Sequence, residues 1–327
     1  MQQRELGKGG PKVGAIGLGC MSFAGFYGPT DEAEAHRTLS KALDLGVTHL
    51  DTARIYGMGL SETIIGSFLQ QNKHHFTIAT KGGIVTKPKR RFDNSPEHLR
   101  ESLEGSLQRL GVDFVDLFYV HRREQDRPIE EVTETLAQFV KEGKIGGIGY
   151  SEISPASLRR AAAIHPVRAV QSEFSLWTRM PELGLIRACE EVGAAFVAFS
   201  PVARGMFADQ APDPATFGDG DIRKGNPRFV EPNFSANVEA IAAFRDYAES
   251  QSMRAATMAL AWVIAQGDHI IPIPGTRTAA HLIQDAAAGS VQLTDAQLAE
   301  IDGLLPPGFA HGDRYTDKQM VGVERYC

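Results

Sequence analysis

The strongest constraint on this chain is a repeated alternation of short apolar runs with stretches of helical period. Strand-like runs end near Cys20, Asp51, Lys81, Val120, Tyr150, Ser172, Ser200 and Pro274, mostly 20 to 40 residues apart, and helical sequence follows each. Local punctuation supports the helical segments. Thr30 or Asp31 can cap a helix that Gly46 stops, Pro96 and Pro155 stand in first turns behind Ser95 and Ser154, and Gly143 ends a helix begun near Ile129. Parallel strands need helical crossovers. Eight such units in about 300 residues predict an α/β fold of (β/α)8 TIM-type barrel architecture, with residues 1–327 forming a single domain.

The segments outside that period are equally readable. Gly7-Lys-Gly-Gly-Pro11 marks a turn and predicts an N-terminal β-hairpin, and Thr294–Leu305 predicts an extra C-terminal helix. The stretch from about 201 to 233 is long and rich in Gly, Pro and Asp, as functional loops are. A second irregular segment runs from Pro306 to Cys327. A doubly wound nucleotide-binding sheet lacks its glycine signature, because Gly17-Leu-Gly19 has Ser22 where the third glycine belongs and Gly147-Ile-Gly149 is followed by Glu152.

Composition narrows the partners. A net charge of −6 argues against a nucleic-acid surface. The one basic run, Lys87-Pro-Lys-Arg-Arg91, reads as a solvated loop, with attraction of an anionic ligand as the alternative. No run approaches the roughly 18 apolar residues of a membrane span, and Met1–Leu6 lacks a signal-peptide core. Three scattered cysteines, Cys20, Cys189 and Cys327, do not form a disulfide framework. The expectation is a cytoplasmic protein with neither a nucleic-acid nor a membrane partner; its oligomeric state is not legible.

In such a barrel, chemistry collects where strands end. Asp51, Lys81 and His121 stand at three successive strand ends, and Tyr56 follows Asp51 in a loop. Each alone could be a rim salt bridge or a satisfied core histidine. Together they lack a hydrolase nucleophile–base pair, and neither His121 nor the His74-His75 pair has metal-ligand spacing. The grouping suits proton donation to a carbonyl. A phenol with pKa near 10 is a weak acid at neutrality, and a lysine cation held by Asp51 should lower that value. Such a donor needs a hydride source, which implies a nicotinamide cofactor.

The chain resembles the aldo-keto reductase superfamily along nearly its whole length. The motifs are Leu18-Gly-Cys-Met21, Asp51-Thr-Ala-Arg-Ile-Tyr-Gly57, Ala79-Thr-Lys81, Val115-Asp-Leu-Phe-Tyr-Val-His121, Ile148-Gly-Tyr-Ser-Glu152, Val170-Gln-Ser-Glu-Phe-Ser-Leu-Trp177, Phe199-Ser-Pro-Val-Ala-Arg-Gly205 and Ile273-Pro-Gly-Thr-Arg277, in the family's order. The resemblance implies reversible reduction of an aldehyde or ketone with NADPH, or NADH. Asp51, Tyr56, Lys81 and His121 would be the catalytic four and Tyr56 the acid. It places Ser151, Glu152 and Gln171 at the nicotinamide carboxamide and Phe199, usually tyrosine, against the nicotinamide ring. Ser200, Val202, Arg204 and Gly205 would line the pyrophosphate path. Gly275, Thr276 and Arg277 would meet the adenosine ribose or its 2′-phosphate.

At the adenosine end the chain departs from the family. Thr278 and His281 replace basic residues, and Gln284 and Asp285 replace Glu and Asn, so Arg277 alone clearly remains to meet a 2′-phosphate. Phe23, Phe26, Tyr27, Ile55, Ile84 and Trp177 could wall a substrate pocket. A second reading of the same barrel is a nucleotide-sensing regulatory subunit with weak or no turnover; a third, from another class, is a sugar-phosphate isomerase or lyase.

Overall fold

A computed structural model describes residues 1–72 and 76–326; the His74-His75 pair and Cys327 lie outside the described residues. Strands β1 (Gln3–Glu5) and β2 (Lys12–Gly14) form the expected antiparallel hairpin. Eight parallel strands follow: β3 (Leu18–Gly19), β4 (His49–Asp51), β5 (Thr77–Gly82), β8 (Leu117–Val120), β9 (Ile148–Ser151), β10 (Val167–Glu173), β11 (Ala195–Phe199) and β12 (Ile270–Pro272). They pair in chain order. Between β5 and β8 lies a short hairpin the periodicity did not predict, β6 (Ile84–Val85) with β7 (Arg91–Phe92).

The sheet curls until its edges meet. Gly19 bridges Gly275 in parallel, and the amides of Gly17 and Gly19 donate to the Pro272 and Pro274 carbonyls, both at 3.0 Å. At this seam a Cβ on Gly19 would lie 2.8 Å from the Ile273 carbonyl oxygen, so the glycine is required by contact distance. Ala79, Leu117, Tyr119, Ala169, Ala195, Val197 and Ile271 fill the interior, and Leu6 and Val13 of the hairpin segment belong to the same cluster. Arg4 of β1 donates to the carbonyls of Gly267 (2.7 Å) and Ile264 (2.8 Å), fastening the hairpin to the barrel.

Helices α1 (Glu32–Leu45), α2 (Leu60–Gln71), α3 (Pro96–Leu110), α4 (Ile129–Lys141), α5 (Pro155–Ile164), α6 (Leu185–Val192), α7 (Asn233–Ser250), α8 (Ala255–Ala265) and α9 (Ala279–Ala287) pack outside. The extra helix is α10 (Asp295–Leu304), and α11 (Asp317–Met320) is one turn in the tail. The caps are those the sequence offers: Asp31, Ser95, Ser154, Thr278 and Thr294 each accept a backbone amide of the first turn. Ahead of α6, Gly184 with φ of 138° separates a 3-10 turn over Met180–Leu183 from the helix. No helix among the described residues is long and apolar enough to cross a membrane.

Candidate functional site

The site begins with register. Asp51 ends β4 opposite Ala79, so Lys81 lies two residues further along β5 on the same face, one layer above Ala79. The His121 amide donates to the Gly82 carbonyl at 2.8 Å, prolonging the β5–β8 ladder past its last paired strand residues. Three strand ends thereby converge. Tyr56 arrives from the loop after β4, in a 3-10 turn whose Gly57 and Met58 have φ of 60° and 54°. Left-handed backbone at a non-glycine residue is costly and clusters at functional sites.

Lys81 is buried and donates to the Asp51 carboxylate and, at 2.8 Å, to the Thr52 carbonyl. The other Asp51 oxygen accepts from Gln171 Nε2 at 2.7 Å. Above this pair the Lys81 ammonium lies 5.2 Å from the Tyr56 ring centroid. The Tyr56 and His121 rings meet edge to face at 5.9 Å.

Burial pulls Lys81 below its ordinary pKa, with Asp51 opposing. Burial, helped by the cations Arg122, Lys81 and Arg90, holds His121 well below the usual imidazole range, so the ring is neutral. The sequence expectation for Tyr56 needs correction. Burial first, and the Asp51 carboxylate second, push its phenol well above 10 rather than below it, outweighing the opposing Arg122 cation. The resting phenol therefore keeps its proton.

A cavity of ≈ 920 Å³ opens over these groups. Asp51, Tyr56 and His121 line it, whereas Lys81 stands behind Asp51. Of the residues assigned to a cofactor, Ser151, Gln171, Phe199, Ser200, Val202, Arg204, Gly205, Gly275, Thr276, Arg277, His281, Gln284 and Asp285 all line this one cavity. Ser200, Ala203 and Arg204 have φ of 51°, 52° and 56°, a run of strained backbone along its wall. Burial pushes the Asp285 carboxyl up to about 7. The cavity runs from Asp51, Tyr56 and His121 to the start of α9, and the arginines in its lining suit an anionic dinucleotide.

Three assigned residues are elsewhere. Glu152, φ 59°, turns away from the cavity and receives Arg314 at 2.5 Å. Phe23 is core, 1% exposed, and Trp177 is buried against Phe207, Phe229 and the Arg228 guanidinium. Phe26, Tyr27, Ile55 and Ile84 line the cavity.

The tail supplies what the sequence did not reveal. Arg314 meets Glu152 of the β9–α5 connection and Glu173 (3.4 Å) at the end of β10, and Glu173 also receives Arg204 at 3.0 Å. Tyr315 lies against both guanidiniums, 4.9 Å from Arg314 and 5.0 Å from Arg204, and lines the cavity with Gln319. The loop between β11 and α7 is pinned over the same opening, since the Ile222 amide donates to the Phe26 carbonyl at 3.1 Å. The aromatic, irregular character of the tail is the only sequence signal for its role. Arg122 and Arg90, also in the lining, were visible only as loop charges. Among the described residues there is no cluster of three metal-ligating side chains.

Comparison with known proteins gives a consistent picture. A profile described as the Aldo/keto reductase family matches residues 15–306. The chain is 38% identical over 315 residues to aldo-keto reductase yakc of Schizosaccharomyces pombe, whose name carries NADP(+), covering 94% of this chain and 93% of that one. It is 38% identical over 319 residues to a probable aldo-keto reductase 1 of Glycine max, covering 96% and 92%. Among solved structures, a glycerol dehydrogenase from Gluconobacter oxydans matches with a TM-score of 0.84 at 28% identity, covering 93% of this chain and 94% of that one. The holo form of an aldo-keto reductase from Bacillus halodurans matches at 0.76 and 26% identity, covering 93% and 96%.

Proposed function

The chain belongs to the aldo/keto reductase family of oxidoreductases, and from that premise we propose that it reduces an aldehyde or ketone to the alcohol, reversibly, with NADP(H). The observation that carries this reading is the buried Lys81–Asp51 pair directly beneath a protonated Tyr56 and a neutral His121. Asp51 and the Thr52 carbonyl fix the ammonium where it faces the phenol. In reduction the Tyr56 hydroxyl donates a hydrogen bond to the carbonyl oxygen and releases its proton as charge grows there. The Lys81 cation stabilises the tyrosinate left behind. His121, being neutral, donates its ring N–H as a second bond to that oxygen without competing as an acid.

A bound nicotinamide supplies hydride to the carbonyl carbon in reduction and accepts it in the reverse direction. Ser151 and Gln171 are assigned to its carboxamide. Gln171 already uses Nε2 on Asp51, which leaves its carbonyl oxygen as the free acceptor. Phe199 would offer a ring to stack on, Ser200, Val202, Arg204 and Gly205 would hold the pyrophosphate, and Gly275, Thr276, Arg277, His281, Gln284 and Asp285, which line the same cavity, would hold the adenosine end. The relative whose name carries NADP(+) and the position of Arg277 together support NADP.

The test is NADPH oxidation against a carbonyl panel, with Tyr56→Phe alongside and NADH in parallel. The variant is expected to bind cofactor normally and to lose about 10²-fold or more of its reduction rate. Full activity in Tyr56→Phe removes it as the acid, and a lower KM for NADH than for NADPH removes the NADP assignment.

A further inference from the structure

Six arginines line the cavity, and their partners divide them. Arg204, Arg223 and Arg254 are matched by carboxylates, Glu173 at 3.0 Å, Asp221 at 2.6 Å and Asp209 at 2.6 Å. Arg277 lies at the adenosine end and donates to the Pro29 carbonyl. The remaining two, Arg90 and Arg122, have no carboxylate within ion-pair distance among the described residues, and both lie at the catalytic end. Arg122 follows His121 directly and donates through Nη1 to the His121 carbonyl at 2.7 Å and to Ser151 Oγ at 3.0 Å. Its Nε is buried without an acceptor. Arg90 rises from the β6–β7 hairpin, with its guanidinium 5.6 Å from the Phe92 ring centroid. Asp51, the one acidic lining residue at this end, is committed to Lys81 and Gln171.

Two guanidiniums that share a cavity with no counter-charge repel each other and lower the proton affinity of His121. An anion entering the cavity relieves that repulsion. Arginine N–H groups make charge-assisted hydrogen bonds to a carboxylate; Arg122 has Nη1 committed and Nε buried, so Nη2 is the donor it offers alongside the Arg90 guanidinium. We propose that the substrate is an oxo acid, a carbonyl compound whose carboxylate is held by Arg122 and Arg90 while its carbonyl oxygen meets Tyr56 and His121. This rests on the reductase reading above and adds the charge of the substrate to it. The backbone contact between Arg122 and His121 places the anion site beside the carbonyl site, so a short or rigid spacer between the two groups suffices.

The experiment compares kcat/KM for 4-carboxybenzaldehyde with that for its neutral methyl ester, in the intact protein, Arg90→Gln and Arg122→Gln. Glyceraldehyde 3-phosphate against glyceraldehyde forms a second pair. Calorimetric titration of the protein with the acid and the ester, with and without NADP+, reads the anion site independently of turnover. The acid is expected to be preferred by about tenfold or more, through KM, as befits hydrogen bonds to a charged group. Each glutamine variant should cut that preference about tenfold, read as the acid-to-ester ratio within the same variant. Turnover of both aldehydes at equal kcat/KM overturns the proposal and leaves the reductase reading standing, as does a preference that survives in both variants. A preference confined to the phosphate pair overturns the carboxylate assignment. Charge preference in the titration with no NADPH oxidation supports the anion site and removes the reductase reading instead.

Discussion

Gln171 Nε2 lies 2.7 Å from Oδ2 of Asp51, on the oxygen opposite the one that receives Lys81. The carboxylate is thus held from both sides, and its orientation is fixed before any ligand arrives. Asp51→Asn keeps the shape but leaves the Lys81 ammonium buried without a counter-charge. Breaking a buried pair in this way costs about 3–5 kcal/mol. The variant should show a lower urea midpoint together with a loss of about 10²-fold in kcat, and a midpoint equal to that of the parent protein would show that Lys81 is not the group being stabilised.

His121 gives a prediction about pH. Its folded pKa is depressed well below 6.5 by burial and by Arg122, Lys81 and Arg90, so the ring carries no proton change across the ordinary assay range. The profile of kcat for reduction should show no step near 6.5. A clear inflection there, abolished in His121→Asn, would contradict a neutral hydrogen-bond donor.

Asp285 predicts a slope in stability. Its folded carboxyl is raised from 3.8 to about 7 by burial. Between those values the folded chain keeps a proton that the unfolded chain has lost, so the contribution is full below 3.8 and falls as pH rises to about 7. Three units at 1.36 kcal/mol each set an upper bound of about 4 kcal/mol. Asp285→Asn should therefore raise the urea midpoint of the cofactor-free protein at pH 8 by more than at pH 5. An equal change at both values would mean the carboxyl titrates normally.

Arg314 predicts a structural dependence of the site on the tail. Removing it strands Glu152 and weakens the pairing of Glu173, both buried. Arg314→Ala should lower stability by about 3–5 kcal/mol and raise the substrate KM through misplacement of the adjacent Tyr315. Glu152→Gln introduced with Arg314→Ala should recover part of the stability, since no unpaired charge then remains at residue 152. Additive losses in the double variant would rule out the pairing as the cause.

Much of this was legible in the chain because barrel strands and helices announce themselves locally. The period of βα units gave the architecture, and polar residues at the ends of apolar runs gave Asp51, Lys81 and His121. What was not legible depends on contacts between distant segments. The family resemblance puts Glu152 at the carboxamide, but Arg314, 162 residues away, pairs with its carboxylate. Phe23 and Trp177 read as pocket walls because an aromatic in a βα loop looks the same whether it faces a cavity or the core. The sign of the Tyr56 shift depended on burial and Asp51 outweighing the Arg122 cation, a balance that residue types alone do not contain. Arg90 belongs to the run Lys87–Arg91, and its place in the same cavity lining as Arg122 could not be read from that run alone.

The bridge from Arg314 to Glu152 and Glu173 also has a consequence for biosynthesis. Arg314 leaves the ribosome after both carboxylates, and at about 5–20 residues per second the 162 residues separating it from Glu152 take roughly 8–30 s to make. During that interval β9 and β10 are present with two acidic groups and without the tail cation. Glu173 gains Arg204 early in that interval, but Glu152 has no cation until Arg314 emerges, so the last stage of pairing at the mouth waits on the tail.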